Sequence, residues 1–461
     1  MTGYPDTAGR CTPLFEANMM DVAAISVPSQ CESDLSTDTV DLDALLADAR
    51  AQAAAGNTEA ALDTVRACVE RGLDVEGWIK AGQVADDCGD LDLAESCWRA
   101  LETLEPWEPE WLLRQADVAV ERTEYDHACR LVATAKERWP NHPMVQSHSL
   151  RYSGLYGRSN SNMFDAEEIA ADATTRPPAA LDAARWLVGA GMTEPARPVL
   201  SRLAALDDDR DIRSAAEAEL KALDILEQAG PQYASVVPGF LGRGRNVVFQ
   251  RGHGSDTAVV VFTGLGGRCG TSVNVFHSIM APLGIHAIYL FDEERLLHMN
   301  GNVVLGQGYE ATVQALRKTL HAWKARRVVC IGVSGGGYAA IRYGIDLGAE
   351  RVAGFGAPTT LERDFIWKMG AGRAVIKRLE RYIPEAMVDV RPLLDAAPLP
   401  PRVDLYCGET MGRDRAYADH LMGLPNVYVY CYPDYDGHDI SAQLLRTDQL
   451  APILRELCGQ D

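Results

Sequence analysis

Residues 327–343 carry the pattern that most constrains the fold of this chain: an apolar run, a serine between glycines, and a helical pattern. The apolar run at 327–331 predicts a buried strand, Gly332-Val333-Ser334-Gly335-Gly336 follows it directly, and 337–343 has the pattern of the first turns of a helix. A strand that turns this sharply into a helix tolerates little beyond glycine beside the serine, because a side chain there would strike the strand or the helix. The serine hydroxyl would lie in the open at the positive end of a helix dipole. Two interpretations follow: a nucleophilic serine on a strained elbow, or a turn built of small residues.

The carboxyl-terminal half alternates apolar β-rich runs with helical patterns. Fully apolar runs predict a parallel sheet covered on both faces, and the alternation predicts a doubly wound α/β domain. Helical patterns occupy 272–282, 308–324, 337–347, 415–422 and 440–457. The predicted strands are 246–250, 257–263, 286–291, 327–331, 351–355, 403–407 and 426–431.

The amino-terminal half is helical in pattern and repeats itself. The segments that begin at Gly56, Gly89, Thr123 and Gly191 align as one element. The alignment places small residues at two positions, twelve residues apart, in every copy: Ala49 and Ala61, Gly82 and Ala94, Ala116 and Ala128, Ala184 and Ala196. This pattern resembles the tetratricopeptide repeat, whose 34-residue helix–turn–helix unit needs small residues where its helices cross. The resemblance covers about residues 41–210 and implies an α-helical solenoid that binds a protein partner; the alternative is an alanine-rich helical bundle.

Charge divides the chain near residue 230. Residues 1–230 carry 42 acidic and 20 basic side chains, whereas 231–461 carry 23 and 24, within a net charge of −21. The division predicts a disordered leader at 1–40, a helical repeat domain at 41–230 and an α/β domain at 231–461. Strong acidity argues against nucleic-acid binding, which needs cationic surface.

Cysteine usage and hydropathy favour a soluble protein of the cytoplasm. The eleven cysteines are scattered singly without a C-x-x-C pair, so neither a disulfide framework nor a zinc ribbon is expected. No secretory leader and no membrane-spanning run is recognisable. No motif indicates a cofactor or a metal.

The order of strands, elbow and helices over 235–461 resembles the α/β-hydrolase superfamily of serine hydrolases. The resemblance implies an oxyanion hole made by one amide after an early strand and one after the nucleophile. The loop Gly264-Leu265-Gly266-Gly267 matches the first position, so the donors would be Leu265, or Gly266 if the register shifts, and Gly335. The other interpretation of this loop, a dinucleotide-binding turn, fails because Cys269 stands where its last glycine should be.

Two histidines follow Ser334, and the resemblance selects between them. His438 lies in a loop after the last predicted strand, where the superfamily places its catalytic base. His420 lies on a predicted helix, where a packing or surface role is expected. The alternative for His438 is a capping or exposed loop histidine.

The third member of a triad should follow the penultimate strand, where Glu409 and Asp414 both lie. Asp414 precedes a predicted helix and could alternatively be its N-cap. We favour Asp414, because the family order places the acid before a helix and then the last strand.

Two further segments are expected to shape the pocket: the loop at 291–301 and a cap insertion at 358–401. The cap combines aromatic and basic residues that suit an anionic or sugar-like acyl substrate, or else form a helix with a solvated basic face. The sequence thus predicts an esterase or deacylase that uses Ser334, His438 and Asp414 on a small-molecule or glycan ester. The alternatives are an O-acyltransferase acting on a sugar or polysaccharide precursor, and a non-catalytic repeat scaffold.

Overall fold

The computed structural model describes residues 41–156, 177–189, 191–206, 209–230, 246–369, 373–386, 388–433 and 435–459. The expected leader at 1–40 lies outside these residues. Contacts join Leu42–Asp461 into one compact unit.

Within the described residues, ten helices precede the first strand, and consecutive helices pack on one another. They are α1 (Leu42–Ala54), α2 (Thr58–Glu70), α3 (Val75–Cys88), α4 (Leu91–Leu104), α5 (Pro109–Glu121), α6 (Tyr125–Arg138), α7 (Pro143–Tyr156), α8 (Pro177–Gly189), α9 (Thr193–Ala204) and α10 (Arg210–Ala229).

The turns between these helices explain the sequence alignment. Each aligned segment begins with a residue of positive φ: Gly56 at 87°, Gly89 at 68°, Thr123 at 62° and Gly191 at 78°. Glycine favours this left-handed conformation, and the single threonine adopts it at a steric cost. The aligned position is therefore the residue that reverses the chain after one helix and before the next.

All eight aligned small residues are buried. The seven alanines are 0% exposed, and a Cβ on Gly82 would lie 2.6 Å from the ring of Trp98. These positions allow close approach of neighbouring helices, because a larger side chain there would separate them.

The seven predicted strands form one mostly parallel sheet. The strands of this sheet are β1 (Val247–Gln250), β2 (Thr257–Phe262), β3 (His286–Leu290), β6 (Arg327–Val333), β7 (Arg351–Phe355), β8 (Arg402–Gly408) and β9 (Val427–Tyr432). Their order across the sheet is β1-β3-β2-β6-β7-β8-β9, and within this sheet only the edge pair of β1 with β3 is antiparallel. A separate short ribbon joins β4 (Gly301–Asn302) to β5 (Gly306–Gln307).

Helices lie between the strands, as expected for a doubly wound fold. They are α11 (Val273–Met280), α12 (Tyr309–Ala322), α13 (Gly335–Leu347), α14 (Arg363–Met369), α15 (Arg373–Tyr382), α16 (Val390–Ala396), α17 (Gly412–Leu421), α18 (Ile440–Arg446) and α19 (Leu450–Leu457). Three of these, α14 to α16, fall inside the segment expected to form a cap.

Successive residues of the central strands face two different hydrophobic layers, because side chains alternate along a strand. On β2, Ala258 and Val260 pack with α13, whereas Val259 and Val261 pack with α11, α18 and α19. The second layer also contains buried residues of α8 to α10, such as Leu187 and Leu223. One hydrophobic core therefore contains residues from both sides of residue 230, where the charge of the sequence changes.

Within the part of the chain that the structure describes, no helix is both long enough and apolar enough to cross a bilayer.

Candidate active site

Ser334 occupies the turn between β6 and α13 in a strained conformation. Its φ of 52° and ψ of −127° lie outside the regions that serine normally adopts. Its amide donates to the carbonyl of Phe355 on β7 at 2.8 Å, which holds the turn against the neighbouring strand. Strain of this kind persists only where the surroundings enforce it, and it is concentrated at functional sites.

The glycines around Ser334 are required by contact rather than by flexibility. A Cβ on Gly332 would overlap the carbonyl of Gly336, and one on Gly336 would overlap the carbonyl of Phe262. The backbone of the elbow therefore packs directly on α13, as the sequence pattern predicts, and also on β2, which the sequence does not indicate.

The structure brings Ser334, His438 and Asp414 into one hydrogen-bonded line. His438 Nε2 lies 2.8 Å from Ser334 Oγ, and His438 Nδ1 lies 2.7 Å from Asp414 Oδ2. A neutral imidazole protonated at Nδ1 donates to the carboxylate and accepts from the serine hydroxyl. This is the geometry that activates a serine for nucleophilic attack.

The two candidate acids differ in burial and in what they contact. Asp414 lies in the first turn of α17, is 2% exposed, and its other oxygen accepts from Arg413 Nε at 3.3 Å. Glu409 is exposed, and its backbone amide donates to Tyr432. Met411 is the N-cap of α17, so the alternative capping role of Asp414 is not realised.

A glycine that the sequence analysis did not single out supports the histidine and the acid. Gly356 follows β7 with a φ of 59°, and a Cβ there would lie 3.2 Å from Asp414 Oδ2 and 3.3 Å from His438 Cε1. The residue combines left-handed backbone with close approach, and either requirement favours glycine. A lone glycine after a strand carries no signal of this role in the sequence.

The loop after β2 lies beside the elbow. A Cβ on Gly264 would lie 3.6 Å from Ser334 Cβ, and one on Gly335 would lie 3.7 Å from Leu265 Cγ. Among the described residues, the amides of Leu265 and Gly335 have no protein acceptor. Two unengaged amides next to a serine hydroxyl are suitable donors for a developing oxyanion.

The loop after β3 closes the other side of the elbow. Leu297 reaches within 2.5 Å of the position that a Cβ on Gly335 would take. The Asp292 carboxylate accepts from the amides of Leu296 and His298, both at 3.2 Å. Left-handed φ values at Arg295, Leu297 and His298, between 53° and 60°, make this loop strained as well.

The last part of this loop is fixed at His298, which contacts two buried groups. His298 Nε2 lies 3.0 Å from the carbonyl of Thr263, and the hydroxyl of Tyr343 donates to the carbonyl of His298 at 2.9 Å. Burial raises the pKa of Tyr343, so its hydroxyl stays protonated and remains a donor.

The first residues of the loop at 291–301 are tied to the helical segment, partly through Arg378 of α15. Arg378 on α15 donates to the carbonyls of Glu121 and Arg295, at 2.8 and 3.0 Å, and also to the Glu121 carboxylate. Arg295 approaches the same carboxylate at 3.4 Å, and the Tyr125 hydroxyl donates to the carbonyl of Glu293. We call Glu121, Arg295 and Arg378 the clasp. Its partners are too far apart in the chain for sequence patterns to pair them.

The basic residues of the expected cap do not form a uniformly solvated face. Arg378 is 4% exposed and fully engaged in the clasp. The side chains of Trp367, Lys368 and Arg373 lie outside what the structure describes. His420, expected to have a packing or surface role, lies on α17 with Nε2 2.8 Å from Asp389. Among the described residues, no His, Cys, Asp or Glu group is arranged to hold a metal ion.

No protein-family profile matches this chain, and no curated protein matches its sequence. Similar solved structures include the capsule O-acetyltransferase of Neisseria meningitidis serogroup A, which is 13% identical with a TM-score of 0.35 and covers 47% of this chain and 93% of that one. An α/β hydrolase enzyme from the metagenome of lagoon sediments at Mar Chica, Morocco, is 14% identical with a TM-score of 0.31 and coverages of 46% and 94%. Esterase B from Lactobacillus rhamnosis is 12% identical with a TM-score of 0.31 and coverages of 54% and 96%.

Proposed function

We propose that this protein is a serine hydrolase that cleaves a carboxylic ester through an acyl-serine intermediate. The observation that carries the proposal is the line from Asp414 through His438 to Ser334, with both contacts below 3 Å, ending on a strained elbow. A scaffold has no physical need for this arrangement, because the strain and the buried carboxylate both cost stability.

In the proposed reaction, Ser334 Oγ attacks the ester carbonyl carbon while His438 Nε2 takes the hydroxyl proton. Collapse of the tetrahedral intermediate breaks the bond to the leaving alcohol, which receives that proton from His438. Water then attacks the acyl-serine with His438 as base, and releases the carboxylic acid and free Ser334. Asp414 holds the imidazole in the required tautomer and stabilises its protonated form.

The oxyanion of each intermediate would be bound by the amides of Leu265 and Gly335. Removing one such donor typically costs about 3–4 kcal/mol of transition-state stabilisation. The side chains of Leu265 and Leu297 lie next to Gly335 and give the acyl group an apolar wall.

We also propose that the helical segment at 41–230 is a tetratricopeptide-like repeat domain that binds a protein partner. The proposal is supported by the repeated left-handed turn and by the eight buried small residues. The α/β segment at 231–461, with 358–401 as its cap, would then supply the chemistry.

Ester hydrolysis by purified protein tests the proposal. We expect Ser334→Ala to lower kcat/KM for p-nitrophenyl acetate by about 10³-fold or more, with an unchanged melting temperature, because one hydroxyl is lost without loss of packing. Ser214→Ala on α10 is the matched control and should match wild type. Activity of Ser334→Ala within tenfold of wild type would reject the assignment.

An added alcohol acceptor in the same assay separates the two acyl-transfer outcomes. The same acyl-serine yields acid if water attacks and a new ester if a sugar hydroxyl attacks. Quantifying acid and new ester by mass spectrometry shows which acceptor the site uses.

A further inference from the structure

A cavity of about 340 Å³ lies between the helical segment and α15. Its walls come from α2, the turn from α3 to α4, the end of α5, and α15. Neither Ser334, His438 nor Asp414 lines it. The volume lies at the lower end of the range for small-molecule sites, about 300–1,000 Å³.

Three of the five basic side chains in this cavity are already neutralised. Arg66 pairs with Asp90 at 2.8 Å, and Arg122 pairs with Asp92 at 2.6 Å. Arg378 is paired with Glu121 in the clasp.

The other two cations, Lys377 and Arg381, have no carboxylate partner among the described residues. The stem of Lys377 packs against Gly89, where a Cβ would overlap its methylene carbons. Burial is the main cause that lowers the pKa of Lys377. The charges of Asp90 and Glu380 raise this pKa, but neither carboxylate forms an ion pair with the ammonium among the described residues. A partly desolvated cation without a contacting counterion is unfavourable, and a bound anion relieves that cost.

The remaining lining suits the organic part of a ligand. Tyr382 is 48% exposed at the cavity, and the Arg381 guanidinium lies 5.4 Å from the centroid of its ring.

We propose that this cavity binds a small phosphorylated molecule, with its phosphate between Lys377 and Arg381. A phosphate monoester carries close to two negative charges near neutral pH, which matches two unpaired cations. The arginine fork and the lysine ammonium are both common phosphate ligands. The inference concerns binding and is independent of the chemistry at Ser334.

Isothermal titration of the full-length protein with inorganic pyrophosphate, at fixed ionic strength, tests this site. We expect saturable binding of one equivalent per chain, and at least tenfold weaker binding by Lys377→Met and by Arg381→Gln. Methionine preserves the packing of the stem on Gly89 while it removes the charge. Lys318→Met, an exposed lysine on α12, is the matched control and should bind as wild type does.

Melting temperatures of the variants establish that each is folded. Ser334→Ala should bind pyrophosphate with wild-type affinity, so a failure of the proposed catalytic function leaves this result unaffected. Absence of saturable binding by wild type, or equal weakening by Lys318→Met, would overturn the proposal.

Discussion

Breaking the clasp tests whether the helical segment holds the loop at 291–301 against the elbow. We expect Glu121→Gln to destabilise the protein and also to lower esterase activity. The substitution preserves side-chain size but removes the charge that faces Arg378, whose side chain is 2% exposed. Arg378 then keeps its bonds to two carbonyls but loses its only carboxylate partner among the described residues.

The expected loss of unfolding free energy follows from the burial of the Glu121–Arg378 pair. Removing one partner of a fully buried ion pair costs about 3–5 kcal/mol. The Glu121 side chain is 24% exposed, so solvent compensates part of the loss and we expect about 2–4 kcal/mol. The matched control is Glu217→Gln, which breaks the contact of Glu217 with Arg446 at 3.0 Å. That pair also joins the helical and α/β segments but is 34% and 38% exposed, so its loss should cost below about 1 kcal/mol.

Urea unfolding gives the free energies, and kcat/KM for p-nitrophenyl acetate gives the second readout. Because Arg295 and Leu297 belong to the loop that closes the elbow, Glu121→Gln should lower kcat/KM under conditions where the variant is fully folded. The reasoning is refuted if Glu121→Gln and Glu217→Gln behave alike in both measurements.

Three further features can be tested by substitution: the packing of the elbow, the identity of the acid, and a buried carboxyl. Gly336→Ala should destabilise the protein by several kcal/mol, since its Cβ would overlap a carbonyl of β2, whereas Gly266→Ala meets open space and should change the unfolding free energy by less than about 1 kcal/mol. Asp414→Asn should lower turnover of an ester about 10⁴-fold through loss of the correct imidazole tautomer. Glu409→Gln should lower turnover only slightly. If it lowers turnover more than Asp414→Asn does, Glu409 is the acid that orients His438. Burial raises the pKa of Asp86 from 3.8 to about 7. Between these two pH values the carboxyl is ionised in the unfolded chain but protonated in the folded one, so the free energy of unfolding falls as pH rises from about 4 to 7. Asp86→Asn should therefore unfold at higher urea than wild type at pH 8, and the advantage should vanish below pH 4; a difference independent of pH would contradict this.

Local pattern predicts the elbow, whereas the resemblance to serine hydrolases was needed to select the two residues that the structure places in line with Ser334. The elbow is predictable because a strand, a glycine-flanked serine and a helix are contiguous in sequence. The resemblance indicated His438 and Asp414, and the fold explains their positions: the carboxyl ends of parallel strands meet at one edge of a sheet, so the loops after β6, β8 and β9 converge there. Strand order alone leaves Asp414 and Glu409 open; in the structure Asp414 is buried within hydrogen-bond distance of His438, whereas Glu409 is exposed.

Contacts between distant segments were not predictable. Glu121 and Arg378 are 257 residues apart, and neither lies in a motif. The charge change near residue 230 suggests separable halves, yet Leu187 and Leu223 pack in the same core as Val259 of the sheet. Surface charge and core packing are independent properties of a helix, so one does not report the other.

The central claim is that Ser334 is an activated nucleophile, and covalent labelling by a fluorophosphonate measures this most directly. The phosphonylated peptide, located by mass spectrometry after proteolysis, should contain Ser334. Labelling should be absent in Ser334→Ala and strongly slowed in His438→Ala, because the proton on Ser334 Oγ would have no base. An unlabelled wild-type protein, or equal labelling of Ser334→Ala, would contradict the account.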